Sequence, residues 1–136
     1  MDEFPLKQET HNIIGAAMEV HRRMGPGFLE AVYQECLSLE FKMQEIPFVG
    51  QPRVQLEYRG HKLRREYVPD FVCYEKVIVE IKAAKKCGDV DSAQVINALK
   101  SSSKPVGLLM NFGESSLCWK RFANTRNESA KSGGSA

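Results

Sequence analysis

Apolar residues recur at helical spacing in the first third of the chain and at strand spacing after it. From residue 5 to residue 24 they return every three or four positions, which predicts an amphipathic helix. Gly25-Pro26-Gly27 ends this helix, because proline cannot continue it and glycine accepts the left-handed backbone that often follows. A second helix is predicted over residues 28–44, and Ile46-Pro47 stops it.

The remainder of the chain is predicted to combine strands with one further helix. The predicted elements are strands at Val54–Tyr58, 63–74, Val77–Lys82, 106–110 and 117–122, and a helix from 89 or 91 to 103. Pro69 is expected at a bend or edge, because proline has no N–H to donate to a neighbouring strand. Val77–Lys82 is almost wholly apolar and β-branched, which is typical of a central strand covered on both faces. The order ααβββαββ predicts an α/β fold.

Length and composition predict one domain. The chain has 136 residues, 43% of them hydrophobic and 26% charged, with a net charge of +2, as in an ordinary globular protein. No apolar run approaches the ~18 residues of a membrane span, and the acidic, polar start is not that of a secretion signal. Residues 123–136 are rich in Asn, Ser, Gly, Ala and Lys without periodicity. We therefore predict a single domain over residues 1–122 and a disordered tail.

The four cysteines are scattered along the chain without a C-x-x-C pair. Cys36, Cys73 and Cys118 lie in apolar segments and are expected to be buried free thiols. Because the ligand spacing is absent, neither a zinc nor an iron–sulfur site is expected. Free thiols favour a reducing, cytoplasmic location.

Three charged residues interrupt the most apolar part of the chain. Asp70 and Glu80 lie five positions either side of Glu75, so a hairpin closed at Glu75 places them opposite each other. Directly opposed side chains have Cβ atoms about 5 Å apart. Two carboxylates at that distance repel by about 3 kcal/mol at an effective dielectric of about 20. Lys82, two residues after Glu80, shares its face at about 7 Å.

Two interpretations of this charged group are open. A divalent cation would turn the repulsion into attraction, and paired carboxylates with water are ligands that Mg²⁺ accepts. Lys82 beside the ion could then hold an attacking water or stabilise negative charge on a phosphate. Alternatively, Lys82 forms a salt bridge with Asp70 or Glu80, and nothing is bound.

Several stretches together resemble one protein family. GPGFLEAVYQ at 25–34 contains the spacing Gly27-x-x-Glu30-x-x-Tyr33, and VPDFV, VIVEIKA, AQVINALK and VGLLMNFG follow in that family's order. Over residues 10–121 the chain resembles the GxxExxY proteins of bacteria and archaea, which are grouped with the PD-(D/E)xK nuclease superfamily. The resemblance implies a restriction-endonuclease-like αβββαβ core, with a mixed four- to five-stranded sheet flanked by helices.

The resemblance also implies a function, that of a Mg²⁺- or Mn²⁺-dependent nuclease that hydrolyses phosphodiester bonds of DNA or RNA. The implied metal ligands are Asp70, Glu80, Glu30, the Ile81 carbonyl and His21, and the implied catalytic residues are Asp70, Glu80, Lys82, Glu30 and Gln94. Lys82 would orient or activate the attacking water and stabilise the pentavalent phosphorus. Small nucleases of this fold often dimerise, so a homodimer is a further expectation.

Structural roles compete with these functional ones. Glu30 can be favoured in the first turn of a helix by the helix dipole alone, at about 0.3–1 kcal/mol. His21 can be a partly buried structural histidine and Gln94 a solvent-facing glutamine, and Tyr33 is expected in the core. Members of the family usually have a tyrosine four residues after the glutamine, where this chain has Ala98. The phenol is therefore missing from that position.

Basic residues flank the candidate site on both sides. They are Arg59, Lys62, Arg64, Arg65, Lys85, Lys86, Lys100 and Lys104. A nucleic-acid backbone could follow this track, and a solvated, charge-balanced surface would have the same composition. The alternative function is a catalytically weak or inactive nucleic-acid-binding or protein-interaction module of the same fold. A structural subunit of a larger assembly is a third.

Overall fold

A mixed β-sheet lies between a layer of two helices and a layer made of one helix and a β-hairpin. The structure is a computed structural model that describes residues 5–124. Its elements are α1 (Lys7–Met24), α2 (Glu30–Met43), β1 (Phe48–Gly50), β2 (Val54–Tyr58), β3 (His61–Tyr67), β4 (Phe71–Cys73), β5 (Val77–Lys82), α3 (Asp89–Lys100), β6 (Val106–Asn111) and β7 (Cys118–Ala123). The predicted α/β fold with a mixed sheet flanked by helices is confirmed.

β5 is the central strand of the main sheet, whose order is β1-β4-β5-β6-β7. It pairs antiparallel with β4 and parallel with β6, while the two outer pairs are antiparallel. A parallel pair needs a crossover connection, and α3 provides it. Val77, Ile78 and Val79 have no exposed surface, so the prediction of a central strand covered on both faces is confirmed.

Successive residues of β5 point to different layers, as the pleat of a strand requires. Ile81 joins the larger core, which is formed with α1 and α2. Ile78 instead belongs to the second core, together with Leu99 of α3. The even-numbered residues of β5 therefore face α3. This places Glu80 and Lys82 on the α3 side of the sheet.

The single strand predicted over residues 63–74 is wrong, because the segment forms two strands in different sheets. β3 ends at Tyr67 and pairs with β2 in a separate hairpin, whereas β4 begins at Phe71 and joins the main sheet. Pro69 lies in the break, where its missing N–H cannot support a ladder. The sequence did not predict β1, which has only three residues and no regular alternation of burial.

The turn between β4 and β5 closes where it was predicted. Phe71 pairs with Val79, so the register is centred on residue 75. Glu75 itself has a left-handed backbone, with φ of 61°. Continued by one residue, the same register brings Asp70 opposite Glu80.

The end of the described chain is part of the fold. The predicted tail begins at residue 123, but Ala123 is the last residue of β7 and pairs with Val106. Asn124 donates its backbone N–H to the Pro105 carbonyl at 2.7 Å. The rest of the predicted tail, residues 125–136, lies outside the described residues, as do residues 1–4. Within the described part, no helix is both long and apolar enough to cross a membrane.

Candidate active site

Asp70 and Glu80 lie side by side where the pairing of β4 with β5 ends. The backbone N–H of Asp70 donates to Glu80 Oε1 at 3.2 Å, and the backbone N–H of Ile81 donates to Asp70 Oδ2 at 2.8 Å. Each carboxylate is therefore fixed by a backbone N–H of the opposite segment. The two acids that the sequence placed together are brought together by the structure.

Ile81 presents its backbone beside this acid pair. One further step along the β4–β5 register puts Ile81 opposite Pro69, which has no N–H. In an antiparallel ladder the N–H and C=O of one residue point to the same neighbour, and the Ile81 N–H points to Asp70. The Ile81 carbonyl therefore faces a position without a ladder donor, and its role as a metal ligand stays a prediction.

Glu80 lies in an environment that disfavours its charge. Burial raises the pKa of Glu80 to about 7, and the Asp70 side chain adds to this rise. The hydrogen bonds from the Tyr67 hydroxyl and from the Asp70 backbone N–H act against it. The Tyr67 hydroxyl donates to Glu80 Oε2, and burial together with this contact raises the pKa of Tyr67. An added cation would stabilise the ionised form of Glu80. Tyr67 is a site residue that the sequence analysis did not identify, because it was expected only as part of a strand.

Lys82 forms a salt bridge with Asp91 of α3, with Nζ 3.6 Å from Oδ1. The alternative in which Lys82 pairs with Asp70 or Glu80 does not hold among the described residues, because this is the ion pair that Lys82 makes. The side chains of Lys82 and Asp91 are 32% and 25% exposed, so the ion pair is only partly buried. The sequence analysis gave residue 91 only as a possible start of the helix. Asp91 is instead the third residue of α3, and its carboxylate accepts the backbone N–H of Gly88, the N-cap residue, at 3.2 Å.

Glu30 is the first residue of α2 and lies within electrostatic reach of the acid pair. Partial burial raises the pKa of Glu30, the charge of Asp70 raises it further, and Lys82 lowers it. One helical turn later, Gln34 donates to the Asp70 carbonyl oxygen at 3.4 Å. The face of α2 that carries Glu30 is therefore directed at Asp70. Gln34 was not identified from the sequence, although its spacing of four from Glu30 puts both on one face.

Tyr33 fastens the loop that leads into Glu30. Its side chain is fully buried and stacks on Phe112, with the ring centroids 4.8 Å apart. Its hydroxyl donates to the Gly25 carbonyl at 2.5 Å and accepts the Phe28 N–H at 3.2 Å. Tyr33 is therefore a core residue, as expected, and its hydrogen bonds hold the loop that precedes the first turn of α2.

His21 contacts a backbone carbonyl and an aromatic ring. It is 8% exposed, and its Nε2 lies 2.9 Å from the Glu114 carbonyl oxygen. Its ring centroid is 6.3 Å from that of Phe112. These contacts are those of the structural alternative, and the role of His21 as a metal ligand stays a prediction.

Gln94 lies on the face of α3 that borders the acid pair. It lines a cleft together with Tyr67, Glu80 and Ala98. The position without the expected phenol therefore lies in the same cleft as the Tyr67 hydroxyl. A phenol is present in the site, but β3 supplies it rather than α3.

The donor set suits a hard divalent cation that keeps part of its hydration shell. Within residues 5–124, no three side chains of His, Cys, Asp or Glu converge closely enough to form a ready-made metal cage. Mg²⁺ usually binds through one or two carboxylates, several waters and substrate phosphates rather than through an all-protein cage. Asp70, Glu80 and the Ile81 carbonyl supply oxygen ligands of this kind.

The acid pair and the lysine on one side of an α/β sheet are the arrangement that the family resemblance implied. A family model described as the PD-(D/E)XK nuclease superfamily matches residues 7–122. The chain belongs to the PD-(D/E)XK nuclease superfamily, whose members are nucleases that act on nucleic acid and generally use divalent metal ions. No curated protein and no solved structure matches the chain.

Proposed function

We propose that this protein is a Mg²⁺-dependent nuclease of the GxxExxY type. The observation that carries the proposal is the acid pair: Asp70 and Glu80 are joined through backbone N–H groups, on the same side of the sheet as Lys82. The loop that begins at Gly27 and is fastened by Tyr33 adds Glu30 to this group, which supports the GxxExxY assignment.

Each residue of the group has a role that its position supports. Asp70 and Glu80 would hold the cation, Glu30 would support it from α2, and the Ile81 carbonyl would complete the set of oxygen ligands. When bound, the ion supplies charge neutralisation at the scissile phosphate and a lower pKa for the attacking water. Lys82 orients that water and stabilises the negative charge that develops on the phosphorus oxygens.

Asp91 positions Lys82 in this proposal. The salt bridge holds the ammonium group at the α3 side of the sheet. Without it, the Lys82 side chain would sample many rotamers. At 3.6 Å and partial exposure the pair is weak. Lys82 can therefore exchange Asp91 for a substrate phosphate at small cost.

The β2–β3 hairpin is the surface that we assign to the nucleic-acid backbone. β3 is exposed along nearly its whole length, and residues 53–67 contain five basic and two acidic residues. Arg64 and Arg65 lie on opposite faces of the strand, because side chains alternate. Arg65 shares the face of Tyr67, whose hydroxyl contacts Glu80, so this arginine lies on the side of the hairpin that borders the acid pair.

A cleavage assay tests the proposal. Purified protein is incubated with labelled single-stranded, duplex and branched DNA and with RNA, in Mg²⁺ or Mn²⁺ and in EDTA. We expect cleavage only with metal, and a loss of about 10²-fold or more in Lys82→Ala, as for the removal of one electrostatic stabiliser. Lys42→Ala, at the exposed end of α2, is the matched control and should cleave like wild type.

The exposed hairpin also supports a second candidate, a nucleic-acid-binding module without turnover. Such a module binds in EDTA, with an affinity that falls with salt according to its phosphate contacts. If wild type binds in this way and cleaves no substrate in either metal, the binding module replaces the nuclease. Equal cleavage by wild type and Lys82→Ala would remove the role of Lys82.

A further inference from the structure

A cleft of about 470 Å³ opens directly beside the acid pair, between α3 and the β2–β3 hairpin. Glu80 belongs both to the acid pair and to the wall of this cleft. Whatever occupies the cleft is therefore adjacent to the position proposed for the scissile phosphate.

The walls of the cleft combine apolar surface with polar groups that donate and accept hydrogen bonds. Leu56 and Val68 contribute apolar surface from the hairpin side. Gln94 and Asn97 contribute exposed amides from α3, three residues apart on one face of the helix. Each amide can donate and accept at once, so the cleft fits a flat ligand with apolar faces and a polar edge.

We propose that this cleft receives one unpaired nucleobase of the substrate, next to the phosphate to be cleaved. A nucleobase has apolar faces, and its edge presents donors and acceptors that Asn and Gln amides pair with. A base inside a duplex has both faces covered by its neighbours, so it can enter a cleft only when it is single-stranded or flipped out. The substrate class that follows is nucleic acid with unpaired nucleotides. The part of this inference that places the base next to a phosphate to be cleaved rests on the proposed nuclease function.

Ala98 is a small residue in the α3 wall of the cleft. It lines the cleft on α3, about one helical turn after Gln94 and one turn before Ser101. A large side chain at residue 98 would extend into this space. The small side chain at residue 98 therefore adds little volume to the α3 wall, and Tyr67 contributes an aromatic ring to the lining of the same cleft. Stacking on such walls is tolerant of base identity, so we expect little sequence preference.

Direct binding in EDTA tests the inference without cleavage. The probes are a short single-stranded oligonucleotide and the same phosphodiester backbone carrying abasic sugars throughout, each followed by fluorescence anisotropy. Because the two probes carry equal charge, a difference between their affinities reports the contribution of the bases alone. Wild type should bind the base-bearing strand about tenfold more tightly, within the range that base stacking on proteins contributes. Equal affinities, or no binding to either probe, would overturn the inference.

Variants at Asn97 locate the effect. Asn97→Trp should fill the cleft and bring the two affinities close together, whereas Asn97→Ala, which removes the amide alone, should reduce their ratio about threefold. Gln8→Trp, on an exposed position of α1 in the opposite layer, is the control and should keep the wild-type ratio. A folded Asn97→Trp protein with the wild-type ratio would contradict the assignment. Base preference without cleavage in any metal would remove the nuclease function and leave the base site standing.

Discussion

At the scale of single residues, the chemistry of the site depends most on Glu80. Its carboxylate is partly buried, accepts a hydrogen bond from Tyr67 and lies against Asp70. These contacts leave its pKa near 7. The fold therefore disfavours the ionised form of Glu80, and a bound cation would favour it.

Glu80 should make the stability of the metal-free protein depend on pH. The ordinary pKa of glutamate is 4.5, and in the fold that of Glu80 is about 7, so the folded state binds the extra proton between these values. As the pH rises through that window, ionisation of Glu80 should cost up to about 3 kcal/mol of folding free energy. Glu80→Gln does not ionise, so the wild-type stability should fall relative to this variant. Urea unfolding of both proteins in EDTA, repeated across this pH range, measures the difference in their unfolding free energies. A difference that does not change with pH would contradict the prediction.

Tyr33 should contribute to stability through its hydroxyl as well as its ring. Tyr33→Phe keeps the stacking on Phe112 but removes the bonds to Gly25 and Phe28. We expect a loss of about 1–3 kcal/mol, because two partly buried backbone groups are left without this partner. Tyr58→Phe is the control, since Tyr58 is 64% exposed. Equal thermal melting of all three proteins would show that the loop before Glu30 does not need this clamp.

Some site residues could be predicted from the sequence and others could not, for a physical reason. The proximity of Asp70 and Glu80 could be predicted, because residues at equal distances before and after a hairpin turn lie opposite each other. Asp91 and Tyr67 belong to elements whose docking against β5 no local pattern reveals. Their roles depend on α3 and the hairpin packing on the same face of the sheet.

At the scale of elements, β5 connects the two cores and carries the site. Ile81 packs into the α1–α2 core and Ile78 into the α3 core. Glu80 therefore lies between two positions that cannot move without disturbing one core or the other. A strand fixed in this way holds the acid pair rigidly.

Substitution of either isoleucine should destabilise the fold strongly. Ile78→Ala and Ile81→Ala should each cost about 2–5 kcal/mol, through lost burial and the cavity left behind. Leu39→Ala, at a residue of α2 that is 51% exposed, should change stability by about 0.5 kcal/mol or less. Chemical denaturation compares the three variants. If both isoleucine variants matched the Leu39 control, β5 would not be the central strand.

The prediction of helices and strands succeeded where an element buries one face or both faces. It failed where the chain passes from one sheet to another. The strand predicted over residues 63–74 has continuous strand composition, yet Pro69 divides it between the hairpin and the main sheet. β1 was missed because three residues carry no measurable period. In both cases the structure depends on pairing with a strand that is distant in the sequence, and local composition carries no information about that pairing.

At the scale of the whole molecule, the last described residue secures the edge of the fold. The Asn124 side chain donates to the carbonyl oxygens of Leu99 at 2.7 Å and Lys104 at 3.1 Å. It therefore joins the end of α3 to the end of β7. Composition alone placed Asn124 in the tail, because asparagine is common in disordered segments and its long-range partners are not visible in the sequence.

Two truncations that differ by one residue should have different stabilities. Removal of residues 125–136 should leave the melting temperature nearly unchanged, because their composition offers little apolar area to bury. Removal of residues 124–136 should cost about 1–3 kcal/mol, since the hydrogen bonds of Asn124 are lost with it. Equal melting temperatures for the two truncated proteins would show that Asn124 does not secure the fold.

The central claim is that Asp70 and Glu80 form a metal site, and melting with and without metal tests it most directly. At a pH above the pKa of Glu80, Mg²⁺ or Mn²⁺ at a hundredfold excess over Kd should stabilise wild type by about 2.7 kcal/mol. The same ions should do little for Asp70→Asn or Glu80→Gln, and Glu35→Gln, at an exposed position of α2, should respond like wild type. Without metal, both site variants should equal or exceed wild type in stability, because a like-charge repulsion is removed. A wild type that does not respond to metal, together with destabilised site variants, would contradict the claim.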